Sequence, residues 1–198
     1  NLTQPLVTGN AAANSSIVLF DGTKSIATAR AGADGSFNIT PSSALLDGLH
    51  SLSVIATDMA GYVSAASNII SITVDTIAPI SPIISTTVSS PTRLTQPIIT
   101  GKAEANSSIT LFDGTRSIAT STVSADGNFS LIPSSALSVG LHSLTARVTD
   151  AAGNVSQISN ALNITIDMIT PVTPVIYTTV SSITKIAQPI ITGTGDSG

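Results

Sequence analysis

A shift of 92 residues lays this chain over itself without a gap, Asp75 falling on Asp167, and this repetition constrains the fold more than any other feature. Gln4-Pro5 maps onto Gln96-Pro97 and again onto Gln188-Pro189. Phe20-Asp21-Gly22-Thr23 maps onto Phe112-Asp113-Gly114-Thr115, and Gly48-Leu49-His50-Ser51-Leu52 onto Gly140-Leu141-His142-Ser143-Leu144. More than half of the aligned positions are identical. The chain therefore reads as residues 1–75, a first repeat lacking its first strand; 76–82, a linker; 83–167, a second repeat; and 168–198, a linker and the start of a partial third. Both ends fall partway into a repeat, as in a piece of a longer array. At the joins, Val74-Asp75-Thr76-Ile77-Ala78-Pro79-Ile80-Ser81-Pro82 recurs as Ile166-Asp167-Met168-Ile169-Thr170-Pro171-Val172-Thr173-Pro174. Each is an apolar strand ending on Asp, then two prolines spaced i, i+3, which fix φ and stiffen the connection.

Inside a repeat the apolar period is two. In the second copy the pattern predicts strands over 83–87, 97–103, 108–112, 117–123, 128–132, 142–149 and 161–166. Ile109 and Leu111 share a face, as do Phe129 and Leu131, while Leu144, Ala146 and Val148 alternate with Ser143, Thr145, Arg147 and Thr149. Asp113-Gly114 and Asp126-Gly127 mark turns. Seven short strands in about 90 residues, with turn signals every ~8–12, predict an all-β fold: tandem immunoglobulin-like, seven-stranded Greek-key β-sandwiches joined by short Pro-containing linkers. The Cys…Trp…Cys signature of antibody domains is missing, so only the architecture is implied.

Composition then removes function classes. There is no cysteine, hence no disulfide scaffold and no thiol chemistry. The net charge is −4 and the seven basic residues are scattered, which is the wrong field for nucleic acid. No apolar run approaches the ~18 residues of a membrane span. Ser, His and Asp occur, but without a Gly-x-Ser-x-Gly elbow, a metal-spaced His pair or a Gly-rich phosphate loop, so an enzyme is not expected. His50 and His142 fall in phase with the inward residues at one repeated corner and read as structural. Asp21, Asp113, Asp34 and Asp126 precede Gly and read as turn formers, and Asp47, whose matching position in the other copy is Val139, as surface.

Thr100-Gly101-Lys102-Ala103-Glu104-Ala105-Asn106-Ser107-Ser108-Ile109, Val148-Thr149-Asp150-Ala151-Ala152-Gly153-Asn154, Ser159-Asn160 and the join at Asp75 resemble the bacterial immunoglobulin-like repeats of giant surface adhesins, the biofilm-associated and RTX-type proteins exported by type I secretion. The resemblance covers the whole chain. It implies an extracellular structural extender at the bacterial surface, whose tandem copies project a distal binding domain in cell adhesion and biofilm formation. It also implies calcium (Ca2+) at the interdomain junctions.

The acids agree with that implication in part. In such a sandwich Glu104 and Asp150 lie at the near pole of the second repeat, and Asp75, ending the last strand of the first, points at the same pole. Three carboxylates meeting there would repel unless a hard cation taking about six to eight oxygens joined them. Asp167 and Asp196 take the places of Asp75 and Glu104 at the next junction, while Ala12 replaces Glu104 in the first repeat. The plain alternative is that Asp75 and Asp167 end a strand and Glu104 sits in a solvated loop. Against the extender stands a binding module for a glycan or host protein. Its expected exposed aromatics reduce to Tyr62 and Tyr177, neither of them repeated. The partners expected are therefore neighbouring repeats of the same chain. In addition, the tail 168–198 could pair edge to edge with the first repeat of another copy.

Overall fold

The computed structural model describes residues 2–177, 185, 187–188 and 190–196. The described residues form strands and loops with no helix, and so no helix long and apolar enough to cross a membrane. The first repeat holds β1 (Val7–Asn10), β2 (Ser16–Asp21), β3 (Lys24–Arg30), β4 (Ser36–Ile39), β5 (Gly48–Thr57) and β6 (Ile70–Val74). The second holds β7 (Ile83–Ser85), β8 (Ile99–Lys102), β9 (Ser108–Asp113), β10 (Arg116–Thr122), β11 (Asn128–Leu131), β12 (Gly140–Thr149) and β13 (Leu162–Ile166). A hairpin of β14 (Val175–Tyr177) and β15 (Thr192–Thr194) follows.

The second repeat is a sandwich of two antiparallel sheets, ordered β11-β8-β7 and β10-β9-β12-β13. The first repeats this as β1-β4 and β3-β2-β5-β6, one strand short. Every strand expected from the alternation is present, with ends moved by one or two residues. The core is the expected one: Ile109, Leu111, Phe129, Leu131, Leu144, Ala146, Val148, Ile164 and Ile166 are buried together. A separate cluster of Val7, Ile17, Leu19, Phe37, Ile39 and Leu52 fills the first repeat.

Two local departures from simple alternation have physical causes. The β9–β10 register slips at Ile118, between the pairs Ser117–Phe112 and Ala119–Leu111. The bulge puts one extra residue into β10 and leaves Ile118 in the core. After the β12 turn, residues 155–161 run back along β12 without becoming strand. Here the Ser156 and Ser159 hydroxyls accept the Val148 and Ala146 amides at 3.0 and 2.9 Å. Ser64 and Ser67 do the same for Ala56 and Val54. The serine hydroxyls take the place of a neighbouring strand's carbonyls, so β13 starts only at Leu162.

The poles are as expected. Ser108, Thr122 and Thr149 stand side by side at one end. The loops beyond them are tied by Ala103 N–H to Gly127 O and Asn106 N–H to Val123 O, both 3.0 Å. Asn106 takes φ 62° in that loop, a conformation Asn tolerates better than most residues. Gly140 pairs with Ile166 at the opposite end, where the chain leaves for the next unit.

Because β12 carries the centre of the core, Leu144→Ala should destabilise the second repeat by about 3 kcal/mol. The neighbouring exposed Leu141→Ala should cost under about 0.5 kcal/mol. Urea unfolding of the two variants checks both values.

Candidate functional site

The seam between the repeats is built at the near pole of the second one. Asp150, at the end of β12, opens a tight turn: its Oδ1 accepts the Asn154 N–H at 2.8 Å. The Asn154 side chain folds back, and its Nδ2 donates to Asp150 Oδ2 at 2.8 Å and to the backbone carbonyl of Asp75 at 3.0 Å. One amide group thus joins the turn of the second repeat to the end of the last strand of the first, and Asn154 is only 5% exposed. Burial alone would raise the Asp150 carboxyl, but the amides of Asn154, Ala152 and Gly153 and the Asn154 side chain outweigh it and hold the carboxyl below its ordinary value. The linker prolines Pro79 and Pro82 are buried as well, so the connection is packed against protein.

The acids expected at the junction are only partly gathered. Asp75 reaches the seam through its carbonyl; its side-chain Oδ1 accepts the Ile77 N–H at 2.9 Å, closing a turn. Asp167 closes the same turn onto Ile169 at 2.8 Å. The Glu104 side chain is exposed, and its backbone carbonyl accepts the Ser107 N–H and hydroxyl. Asp196 is exposed beyond β15. Among the described residues no three acidic or histidine side chains stand close enough to hold a metal ion, so Asp75, Glu104 and Asp150 do not form the expected three-carboxylate cluster. The physical reason is local. Asp75 Oδ1 and both Asp150 carboxylate oxygens accept N–H donors of their own turns, which holds those side chains in place locally.

The sequence reading placed Asn154 at the end of the Asp150 turn motif but gave it no role at the seam, because Tyr62 takes its place in the first copy. At that position the first repeat keeps only the turn: Asp58 Oδ1 accepts the Ala60 and Tyr62 amides.

A second constellation, at the far pole, is repeated in full. His50 Nδ1 lies 2.7 Å from Asp21 Oδ2, and its Nε2 lies 2.8 Å from Leu46 O. His142 makes the same two contacts with Asp113 Oδ2 and Ser138 O, at 2.7 and 2.9 Å. The expectation that Asp21 and Asp113 serve only their turns is therefore corrected: each anchors the histidine at the start of β5 or β12. The signal was the shared Asp-to-His spacing in both copies. Asp47 lies at the surface as expected, and there both the amide and the hydroxyl of Thr76 donate to it, clasping the linker entrance of the first repeat. Val139 and Met168 at the matching positions lack these groups.

Each imidazole faces two acceptors, so only the doubly protonated ring satisfies both. The Asp21 hydrogen bond and the Leu46 carbonyl raise His50 above its ordinary 6.5. For His142, burial pulls downward, but the Ser138 carbonyl and Asp113 outweigh it. Asp21 is lowered chiefly by His50. The histidine contribution is whole below pH ~6.5 and is lost as pH rises through the raised folded values. The Asp21 contribution is whole above pH ~3.9 and is lost as pH falls through its lowered value. Thermal unfolding should therefore be most favourable to the folded state between these limits, and His50→Gln with His142→Gln should flatten the loss above pH ~6.5. Melting curves from pH 3 to 9 check this.

Comparison with known proteins follows the same outline. A family model described as bacterial Ig-like domain matches residues 1–76 and 85–168. Among solved structures, the fibronectin(III)-like modules of Clostridium thermocellum CbhA are similar, with TM-score 0.51 and 14% identity over 83% of this chain and 85% of that one. A tetra-tandem repeat from the extending region of a large adhesion protein has TM-score 0.39 and 24% identity, over 91% of this chain and 49% of that one. The BSP domain of a biofilm associated protein has TM-score 0.36 and 20% identity, over 83% of this chain and 28% of that one. This chain thus spans less than half the length of both those proteins. No curated protein sequence matches it. With the family model covering both sandwiches from β1 to β6 and from β8 to β13, the chain belongs to the bacterial Ig-like domain family.

Proposed function

We propose that this chain is an extender segment of a bacterial cell-surface adhesin, exported from the cell, in which tandem Ig-like repeats hold a distal binding domain away from the surface. The observation that carries this reading is the seam: a buried asparagine of one repeat gripping the last-strand carbonyl of the repeat before it, beside buried linker prolines. The prolines fix φ along the linker and the Asn154 bond ties it to the second repeat, which restricts bending between units as a stalk requires. Copies that repeat the same strands, turns and Asp–His pair suit length rather than chemistry.

Calcium at the seam is part of the same proposal. Asp150 and Asp75 already bring a carboxylate and a carbonyl to one amide, and oxygens of both kinds suit a hard cation. Glu104 on the neighbouring loop would supply a second carboxylate, and Asp167 with Asp196 would serve the following junction.

Asn154→Ala should leave each repeat folded yet loosen the pair, widening the distribution of inter-repeat distances in small-angle scattering. An unchanged distribution would remove the seam as the source of stiffness. Calcium should raise the melting temperature and EGTA reverse it, with Asp150→Asn abolishing the response; indifference of both the melting curve and the scattering to calcium would end the cation part alone.

A further inference from the structure

We propose that the protonation state of His50 sets how firmly the seam between the two repeats is held, through two peptide planes that connect it to Asn154. This rests on the reading of the seam as the stiffening joint and adds what controls it. The first plane is the Asp75–Thr76 peptide. Its carbonyl accepts Asn154 Nδ2 of the second repeat at 3.0 Å, and its N–H donates to Asp47 Oδ1 of the first at 2.8 Å. One rigid unit is therefore gripped from both sides. The Thr76 hydroxyl strengthens the grip of the first repeat, lying 2.9 and 3.0 Å from the two Asp47 oxygens.

Asp47 is exposed in the loop ahead of β5, so its hold on Thr76 depends on what fixes the loop backbone. The Leu46–Asp47 peptide is the second plane. Its carbonyl oxygen faces His50 Nε2 at 2.8 Å, while His50 Nδ1 faces Asp21 Oδ2 at 2.7 Å. The doubly protonated ring donates to both. A neutral ring has one N–H. The anionic Asp21 keeps it, because a bond to a charged acceptor is the stronger. Nε2 then presents a lone pair to the Leu46 oxygen, which sets two acceptors against each other. The Leu46–Asp47 plane rotates away and carries the Asp47 Cα with it, because the peptide is rigid. The clasp on Thr76 loosens, and the Asp75–Thr76 peptide keeps only its grip from the second repeat.

The charged groups around the ring do not offer a competing partner. Asp21 ends β2 and Lys24 opens β3 on one side, while Asp47 and Asp75 flank the Gly48–Val74 pair on the other. Across β6, His50 pairs with the uncharged Ile72. Among the described residues only Asp21 makes an ion pair with His50. The second repeat carries the same ring without the coupling: His142 Nε2 meets Ser138 O at 2.9 Å, but Val139 and Met168 stand where Asp47 and Thr76 stand. The device therefore belongs to the joint after β6 and not to the one after β13. Acid surroundings keep that joint tight, and pH rising through the raised His50 value frees it.

NMR of the whole 198-residue chain in EGTA, from about pH 5 to about pH 9, is the test, reading His50 Cε1–H and the methyl groups of Thr76 and Met168. The Thr76 methyl should shift with the midpoint of His50, and the Met168 methyl should stay still while His142 titrates. His50→Gln should hold the Thr76 methyl fixed. Asp47→Ala, at an exposed position, should also hold it fixed while His50 still titrates. Small-angle scattering of the unmodified chain should show the spread of inter-repeat distances widening toward the alkaline end, and that of His50→Gln should not. A Thr76 methyl that ignores His50, one that still moves in either variant, or a spread independent of pH overturns the proposal. Asn154→Ala keeps the two readings apart: a spread already wide at the acid end leaves the seam standing even where the pH response is absent.

Discussion

Each repeat stands on the meeting of two aliphatic faces. No disulfide is available and aromatic residues make up 3% of the chain, so sheet-to-sheet packing of Ile, Leu and Val must hold the sandwich. β12 is the strand on which this depends. It is paired on both edges, by β9 and β13, and its Leu144, Ala146 and Val148 are fully buried. Everything else is placed relative to it. His142 at its start fixes the far pole through Asp113, and Asp150 just past its end opens the turn that reaches the preceding repeat.

The two ends of that strand do different work. The far-pole histidine is enclosed by two acceptors in both copies, so it belongs to the repeat as a folding unit. The near-pole asparagine occurs in one copy and spans two units, so it belongs to the joint. A tandem array can keep its cores constant and vary its joints, because a joint residue is buried only when a neighbour is present.

Much of this was legible in the residues. The repeat length, strand count, inward faces and grouping of loops at two poles follow from alternation and turn chemistry. These depend on short-range sterics and on burial of one face of a strand, which leave a periodic trace. The junction was legible in outline, since a strand ending on Asp before a Pro-x-x-Pro stretch marks a join. Its chemistry was not. The charge of Asp75, Glu104 and Asp150 suggested repulsion and a cation, whereas the folded turns bring N–H donors to Asp75 and Asp150. The Asp21–His50 pair was missed because an Asp before Gly has a sufficient local explanation, and its second partner lies 29 residues away.

Sequence by itself thus determined that the chain is a string of β-sandwich units, because hydrophobic period and turn residues act locally and recur. Only the tertiary structure decided which oxygen meets which donor. It decided that Asp75 presents its carbonyl to Asn154, and that Ser156 and Ser159 replace a strand's hydrogen bonds. Those outcomes depend on the direction of single bonds between residues far apart in the chain, and direction leaves no mark in composition or period.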